Sequence, residues 1–573
     1  MKRLILALSA LFLVACGGGG GGGGSGGSGG GGGTPTPAPP PVTITATEAA
    51  RLLNQATFGA TDATIEQART AGVSAWLDTE FSAAPAAQTH LAYLDARLVQ
   101  LRTTNPSASL SATNFYETWW RSAATSPDQL RQRVAFAYSQ IFVISLNDGA
   151  VDVRGAGSYY DMLTANAFVN FRQLLENVTL HPMMGRYLTY LANQREDAAG
   201  TRTPDENYAR EVMQLMTIGL WELNIDGTLR TNASNQPIAT YTPADISGLA
   251  RVFTGLSWYH PTPSNSTFFG GSRDPDASVR PMIFYPQYHS LSAKQFLGTT
   301  IPASTTADVG GDLRIALDTL FNHPNVGPFI ARQLIQRLVT SNPSNAYVGR
   351  VAAVFNNNGS GVRGDMRAVI RAILTDSEAR SATAAGDPAF GKLREPVIRL
   401  THWMRAYGAT SVSGNWLIGS TSSNQSLGQS PLAAPSVFNF WRPGFVPPAT
   451  TQVGQRGFNA PEFQIVDEVS TAGYINTING AITNGIGTGN DVRAAYTAEL
   501  AIADGADALV ERLNRVLLAG QISTTLRARV LEAVNSIAIP ATGAQAQIDA
   551  ARLNRVRTAI LLIVASPDYL VQR

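Results

Sequence analysis

Cysteine is almost absent from this chain of 573 residues: Cys16 is the only one. No intramolecular disulfide can form, and once that sulfur is modified no thiol remains for a nucleophile or a metal. Histidine is nearly as scarce, with six residues at positions 90, 181, 260, 289, 323 and 402. They show neither zinc-finger spacing nor a His-Glu-x-x-His pair, so neither a metal nor a cofactor is expected. No glycine-rich phosphate loop follows a predicted strand, and no Gly-x-Ser-x-Gly elbow occurs outside the amino-terminal Gly/Ser tract, which removes support for nucleotide binding and serine hydrolysis. Charge of one sign is missing too. The formal charge of +2 comes from Lys2 and Arg3, and the rest of the chain carries 41 basic against 41 acidic residues. A balanced chain offers no electrostatic footprint for nucleic acid. Period-two alternation is scarce, which argues against extensive sheet.

What is present begins with an export signal. Lys2 and Arg3 precede an apolar run over residues 4–14 that is too short to span a bilayer, and Leu13-Val-Ala-Cys16 closes it. This is the pattern of a lipoprotein signal over 1–15, with Cys16 lipidated as the first mature residue. Residues 17–33 are glycine broken only by Ser25 and Ser28, a coil spanning roughly 23 Å, and 34–41 add a stiffer proline-rich spacer. Residues 16–44 thus form a tether that holds a body, 45–573, off a bilayer through acylated Cys16. The expected location is outside the cytoplasm, at the outer membrane or cell surface. A sub-boundary in the body is allowed near residue 455.

The body predicts a mostly α fold, large and multi-helical, with irregular loop insertions and little β structure. Capping signals recur: Thr45 with Glu48, Thr61, Ser126 with Gln129, Thr203 with Glu206, and Thr242 with Asp245. Residues 130–145 read as one buried helix, and Arg131 and Arg133 in its early turns call for a nearby carboxylate. Helical periodicity returns over 312–321, 326–340, 346–355, 365–374 and 393–407, and again in the tail over 461–482, 490–518, 523–536 and 546–565. Two stretches, 258–300 and 415–461, are irregular. The first, a long non-helical insert between two helical halves, is either a functional loop or an ornament, and together with the Asn207, Arg210 and Glu211 face it is the expected working surface.

The helix expected to start at Thr203 is the most suggestive element. One face is apolar, and Asn207, Arg210, Glu211 and Gln214 repeat along another. Lys392, Arg394 and Glu395 form a second charged cluster before Pro396. Such groups either clamp an anion and move a proton, or knit helices together as a buried network. His260 and His289, on the irregular insert, are loop residues able to join a site. A third source is aromatic: Trp, Tyr and Phe at 258–260, 268–269, 284–288 and 438–445 either stack on sugars, fill a partner groove, or serve as core.

These stretches resemble a bacterial family known as domain of unknown function 1800. The resemblance runs from about Ala46 to the carboxy terminus. It rests on Arg51-Leu-Leu-Asn-Gln-Ala-Thr-Phe-Gly59, Pro204-Asp-Glu-Asn-Tyr-Ala-Arg-Glu-Val-Met-Gln-Leu215, Tyr241-Thr-Pro-Ala-Asp245, Gly391-Lys-Leu-Arg-Glu-Pro396 and Leu427-Gly-Gln-Ser-Pro431. It implies an exported, largely helical protein, often encoded beside a secreted sulfatase-like or alkaline-phosphatase-like partner, and no established reaction. Family members often carry a Trp-His pair where this chain has Tyr138-Ser139, which weakens a catalytic role there. The expected function is that of an envelope lipoprotein binding an extracytoplasmic protein or polymer. One alternative is a metal-independent hydrolase or transferase acting on polysaccharide, with Glu211 or Glu395 as acid or base and Arg210 or Arg394 holding an anionic group. The other is a structural assembly protein.

Overall fold

The computed structural model describes residues 43–387 and 389–573. The expected signal, the lipidation site at Cys16 and the tether up to residue 42 lie outside the described residues.

Helix makes up 53% of the described residues and strand 5%, so packing of helices on helices builds the core. Sheet among the described residues is confined to four two-stranded antiparallel pairings and isolated bridges. The helices start where the sequence places caps. Thr45 closes a reciprocal box with Glu48 at the head of Ala46–Ala56, and Thr242 does the same with Asp245 ahead of Pro243–Val252. Asp62–Ser82 is bent at Gly72, whose φ of 74° no helix accommodates. Phe58, Trp119, Trp120 and Phe136 then meet edge-on or tilted, with neighbouring centroids 5.0–5.8 Å apart, to fill the amino-terminal core.

Several expected elements differ. The stretch 490–518 holds a strand, Val492–Arg493, and two helices, Thr497–Leu500 and Ala506–Leu518, in place of one helical run, and two further differences have a clear local cause. The helix expected from Thr203 starts at Asn207. Asn193 accepts from the Asp205 amide at 2.9 Å, and Asp205 in turn accepts from the Asn207 amide at 2.8 Å. These side chains capture the backbone in an alternative to the capping box. The helix Gln129–Ser139 stops six residues short of the expected end. The chain beyond it instead pairs with the 432–434 loop: Leu146 N donates to Leu432 O at 2.7 Å and Ser145 Oγ to Ala434 O at 2.7 Å. At its head, Asp128 is the N-cap and pairs with Arg131 at 3.5 Å, the carboxylate that Arg131 requires.

Val42–Arg573 forms one compact unit. The tail is part of it, because Lys392–Leu393 pairs with Val571–Gln572 and Gln572 Nε2 donates to Leu338 O at 2.8 Å. Along Gln545–Val564 the side chains of Val556, Ile560, Ile563 and Val564 are fully buried. Each contributes about 1.5–3 kcal/mol, which is why so apolar a helix packs inward. No helix among the described residues is long and apolar enough to cross a membrane.

Candidate functional site

Asn207–Glu211 runs into a π-helical turn, Val212–Thr217, closed when the Thr217 hydroxyl donates to Val212 O at 2.5 Å and Ile218 N donates to Met213 O at 3.0 Å. The wider turn shifts the faces that an α-helix would keep in line. The four polar residues of this stretch therefore part company. Asn207 Nδ2 donates to Thr189 Oγ1 at 3.3 Å, and exposed Arg210 pairs with Glu206 at 3.4 Å. Glu211 is buried with Oε2 unpartnered, and Gln214 accepts a long 3.4 Å hydrogen bond from the Tyr241 hydroxyl.

Burial pushes the Glu211 carboxyl above its ordinary range, and Arg210 only partly opposes it. A carboxyl whose folded value is raised holds its proton longer in the folded state, so stability falls as pH rises from the unfolded value through the folded one. Glu211→Gln is therefore expected to raise stability by about 1 kcal/mol at pH 8. The gain should shrink as pH falls towards the ordinary carboxyl range. Urea unfolding of both proteins across that range checks it, and a loss of stability at pH 8 would contradict it.

The second cluster separates as well. Arg394 turns to the tail, donating to Tyr569 O at 2.9 Å and lying 4.3 Å from the Tyr569 ring centroid. Lys392 and Glu395 stay together in a buried ion network. Lys392 Nζ stands 3.0 Å from Glu462 and 3.7 Å from Glu395. Glu395 Oε2 accepts from Gln140 and Gln429, each at 2.5 Å, and from Trp441 Nε1 at 3.4 Å. Arg133 and Arg337 complete it, donating to Arg337 O at 2.6 Å and Gln140 O at 3.0 Å respectively. All five charged side chains are at least 97% buried. Burial opposes ionisation of Glu395, but Lys392, Arg133 and the two amides outweigh it and hold its carboxyl low. Glu462, also buried and repelled by Glu395, is held high despite Lys392. Lys392, Glu395 and Glu462 close on one another and on amide side chains, whereas Arg133 and Arg337 hold backbone carbonyls and leave Arg133 Nε and Nη1 and Arg337 Nε without a hydrogen-bond partner; the cluster is a knot between segments far apart in sequence.

The histidines do not join either group. His289 is fully buried: Nδ1 lies 2.7 Å from Thr254 O and Nε2 3.0 Å from Asp312, which also pairs with Lys294 at 2.9 Å. Burial pushes the Asp312 carboxyl up, yet hydrogen bonds from His289 and Lys294 prevail and lower it. His260 folds back on its own loop, 2.9 Å from Thr262 O. Among the described residues no group of three His, Cys, Asp or Glu side chains stands close enough to hold a metal.

What the structure does assemble is a cleft of about 310 Å³. Gln214 and Leu215 of the π turn line it, with Phe329, Gln333 and Arg337 of helix Val326–Leu338 and Phe438, Trp441 and Pro443 of the 415–461 loop. Leu220 and Trp221 form its lip, 47% and 44% exposed. The cleft touches both sequence clusters, since Gln140 lines it while holding Glu395, and Trp441 is both wall and donor to the same carboxylate. Arg337 lies 4.6 Å from the Trp441 ring centroid and fixes that wall.

The lip belongs to a ribbon over 220–240, bridged at Trp221–Ala239, Leu223–Leu229 and Thr231–Pro237. Asn325 anchors its base, donating to Ile218 O and Trp221 O at 2.8 Å each and accepting from Leu223 N at 2.9 Å. The backbone of Trp221 is thus fixed while its ring stays open to solvent. Gly219, at φ 74°, lets the chain pass Phe329, because a Cβ there would sit 2.8 Å from the ring. Gly219→Ala is expected to cost about 1–3 kcal/mol, read by denaturant unfolding. An unchanged midpoint would mean that the ring yields freely.

The aromatic run 438–443 signalled the cleft in the sequence. Arg337, Glu462, Asn325 and Trp221 gave no such signal, because each acts through a partner on another segment: Gln140 for Arg337, Lys392 for Glu462, and Trp221 and Asn325 for each other.

Residues 51–571 match the family described as protein of unknown function, DUF1800. The chain belongs to the DUF1800 family. The match covers nearly all of the helical body, including the cleft, the ion network and the tail as far as Val571, which pairs with Leu393. No curated protein and no solved structure shows significant similarity to the chain. In this DUF1800 protein Ser139 is buried and donates to Phe136 O at 2.8 Å, spending its hydroxyl within its own helix.

Proposed function

We propose that this DUF1800 protein is an exported lipoprotein, anchored through acylated Cys16 at the outer membrane or cell surface, whose body binds a partner protein in the cleft. The observation that carries this reading is the lip: Leu220 and Trp221 stand open beside a largely apolar hollow, and Ile225 and Leu229 are exposed on the same ribbon. Exposed large apolar side chains grouped around a preformed pocket fit an apolar anchor of a protein partner. A secreted sulfatase-like neighbour, implied by the family resemblance, is one partner of suitable location.

The catalytic alternative receives less support. Glu395 is sealed, Arg210 and Arg394 point to other partners, and Glu211 has no cation aimed at a shared ligand. Polysaccharide binding and structural assembly remain outcomes of the same test. A photo-crosslinker at position 221 of the mature chain in its host is expected to yield a discrete protein adduct, with little or none from exposed position 99. A glycosidase-sensitive smear would favour polysaccharide, and equal adducts from both positions would overturn the cleft as the site.

The anchor has its own test. Cys16→Ser is expected to abolish labelling by radioactive palmitate and to shift the protein from the membrane to the soluble fraction. Retention of both label and membrane would contradict it.

A further inference from the structure

A second cavity, sharing no lining residue with the cleft, lies between helix Pro396–Ala406, helix Glu468–Asn484 and the tail. Its volume is about 280 Å³, and its walls are apolar, with Leu393, Leu427, Ile465, Tyr474, Ile475 and Leu570 among them. That is about twice the ~150 Å³ that accommodates a benzene ring. One charged side chain reaches it. Arg399 is 95% buried, lies 4.7 Å from the Tyr474 ring centroid, and donates through Nε to Arg394 O at 2.7 Å. Among the described residues its two terminal nitrogens have no hydrogen-bond acceptor, and they are not sealed in, so they open to the cavity that Arg399 lines.

The charge around it is uncompensated. Among the described residues neither Arg399 nor the neighbouring buried Arg394 has a carboxylate within 4.0 Å, and the closest acid in sequence, Glu395, is committed to Lys392 and two glutamines. Arg399 also sits in the first turn of Pro396–Ala406, where the helix dipole disfavours a cation. A buried guanidinium with free donors, no acid and an apolar chamber in front of it is a seat for an anion that carries an apolar chain. At the open side, Phe463 is 41% exposed and Thr471 is exposed.

We infer that this cavity binds a single-chain amphiphile with an anionic head, the head meeting the free donors of Arg399 and the chain filling the hollow beside Tyr474 and Ile475. Carboxylate and phosphate heads share that chemistry, and the test separates them. Neither the lip of the cleft nor the position-221 adduct depends on it.

The experiment is calorimetric titration of the full mature chain, below micellar concentration, with dodecanoate, monododecyl phosphate and dodecanol. At least one anionic probe is expected to bind tenfold or more tighter than dodecanol, and the tighter of the two identifies the head. Arg399→Gln should erase that preference. Because this buried substitution can disturb folding, Thr471→Trp, made at an exposed position on the rim, is the second variant and should weaken every probe at least tenfold while the melting temperature is kept. Equal binding of dodecanol and the anions, no binding of any probe, a preference that survives in folded Arg399→Gln, or unchanged affinity in Thr471→Trp would each overturn the inference.

Discussion

Lys392→Met is expected to destabilise the protein by about 3–5 kcal/mol. Lys392 is the cation shared by Glu395 and Glu462, and all three are sealed from solvent. Taking it away leaves two buried carboxylates facing each other, with Arg133 and Arg337 turned mainly to backbone carbonyls. The pH dependence has a definite sign. Glu462 is already held above its ordinary range, and loss of Lys392 raises it further. Protonation then relieves the repulsion, so the deficit of the variant is largest at neutral pH and narrows as pH falls towards 5. Glu462→Gln added to Lys392→Met should recover roughly half of the loss, since it removes one of the stranded charges. Denaturant unfolding of the wild type and both variants measures all three statements. A cost below about 1 kcal/mol would mean that the network is hydrated and not a knot.

Trp221→Ala is expected to weaken partner binding by roughly 30-fold, about 2 kcal/mol, while leaving the unfolding midpoint within error. The separation follows from geometry. The ring is 44% exposed and lines the cleft, whereas the backbone that positions it is held by Asn325 and by the bridge to Ala239. Truncation therefore removes contact area without unpinning the ribbon. Trp441→Ala makes the contrasting control, because that ring is 99% buried and donates to Glu395. It should lose stability by about 3–5 kcal/mol and binding together. Titration of each variant with the crosslinked partner, once purified, reads the affinities. Equal loss of stability in both would make Trp221 a core residue.

The helices were legible in the sequence because their signals are local. Thr45 with Glu48 and Thr242 with Asp245 cap where their spacing says. Thr203 misleads for the same reason in reverse: its box loses to Asn193 and Asp205, and Asn193 lies outside the capping window. Polar periodicity over 207–214 suggested one face, yet a π turn splits it, and no residue pattern in Val212–Thr217 announces the wider turn. Lys392 and Glu395 were visible as a pair three positions apart. Their role was not, because Gln140, Arg337 and Glu462 come from other segments. The expectation of export rests on residues 1–16 alone, which lie outside the described residues.

The central claim is that the cleft is a docking surface for a protein, and hydrogen–deuterium exchange tests it most directly. The mature chain would be compared alone, with the position-221 partner added, and with polysaccharide from the same extracellular fraction. The account predicts slowed exchange in peptides covering 212–223 and 437–443 with the partner protein, and no change there with polysaccharide. Protection that falls elsewhere on the body, or that only polysaccharide produces at the cleft, would contradict it.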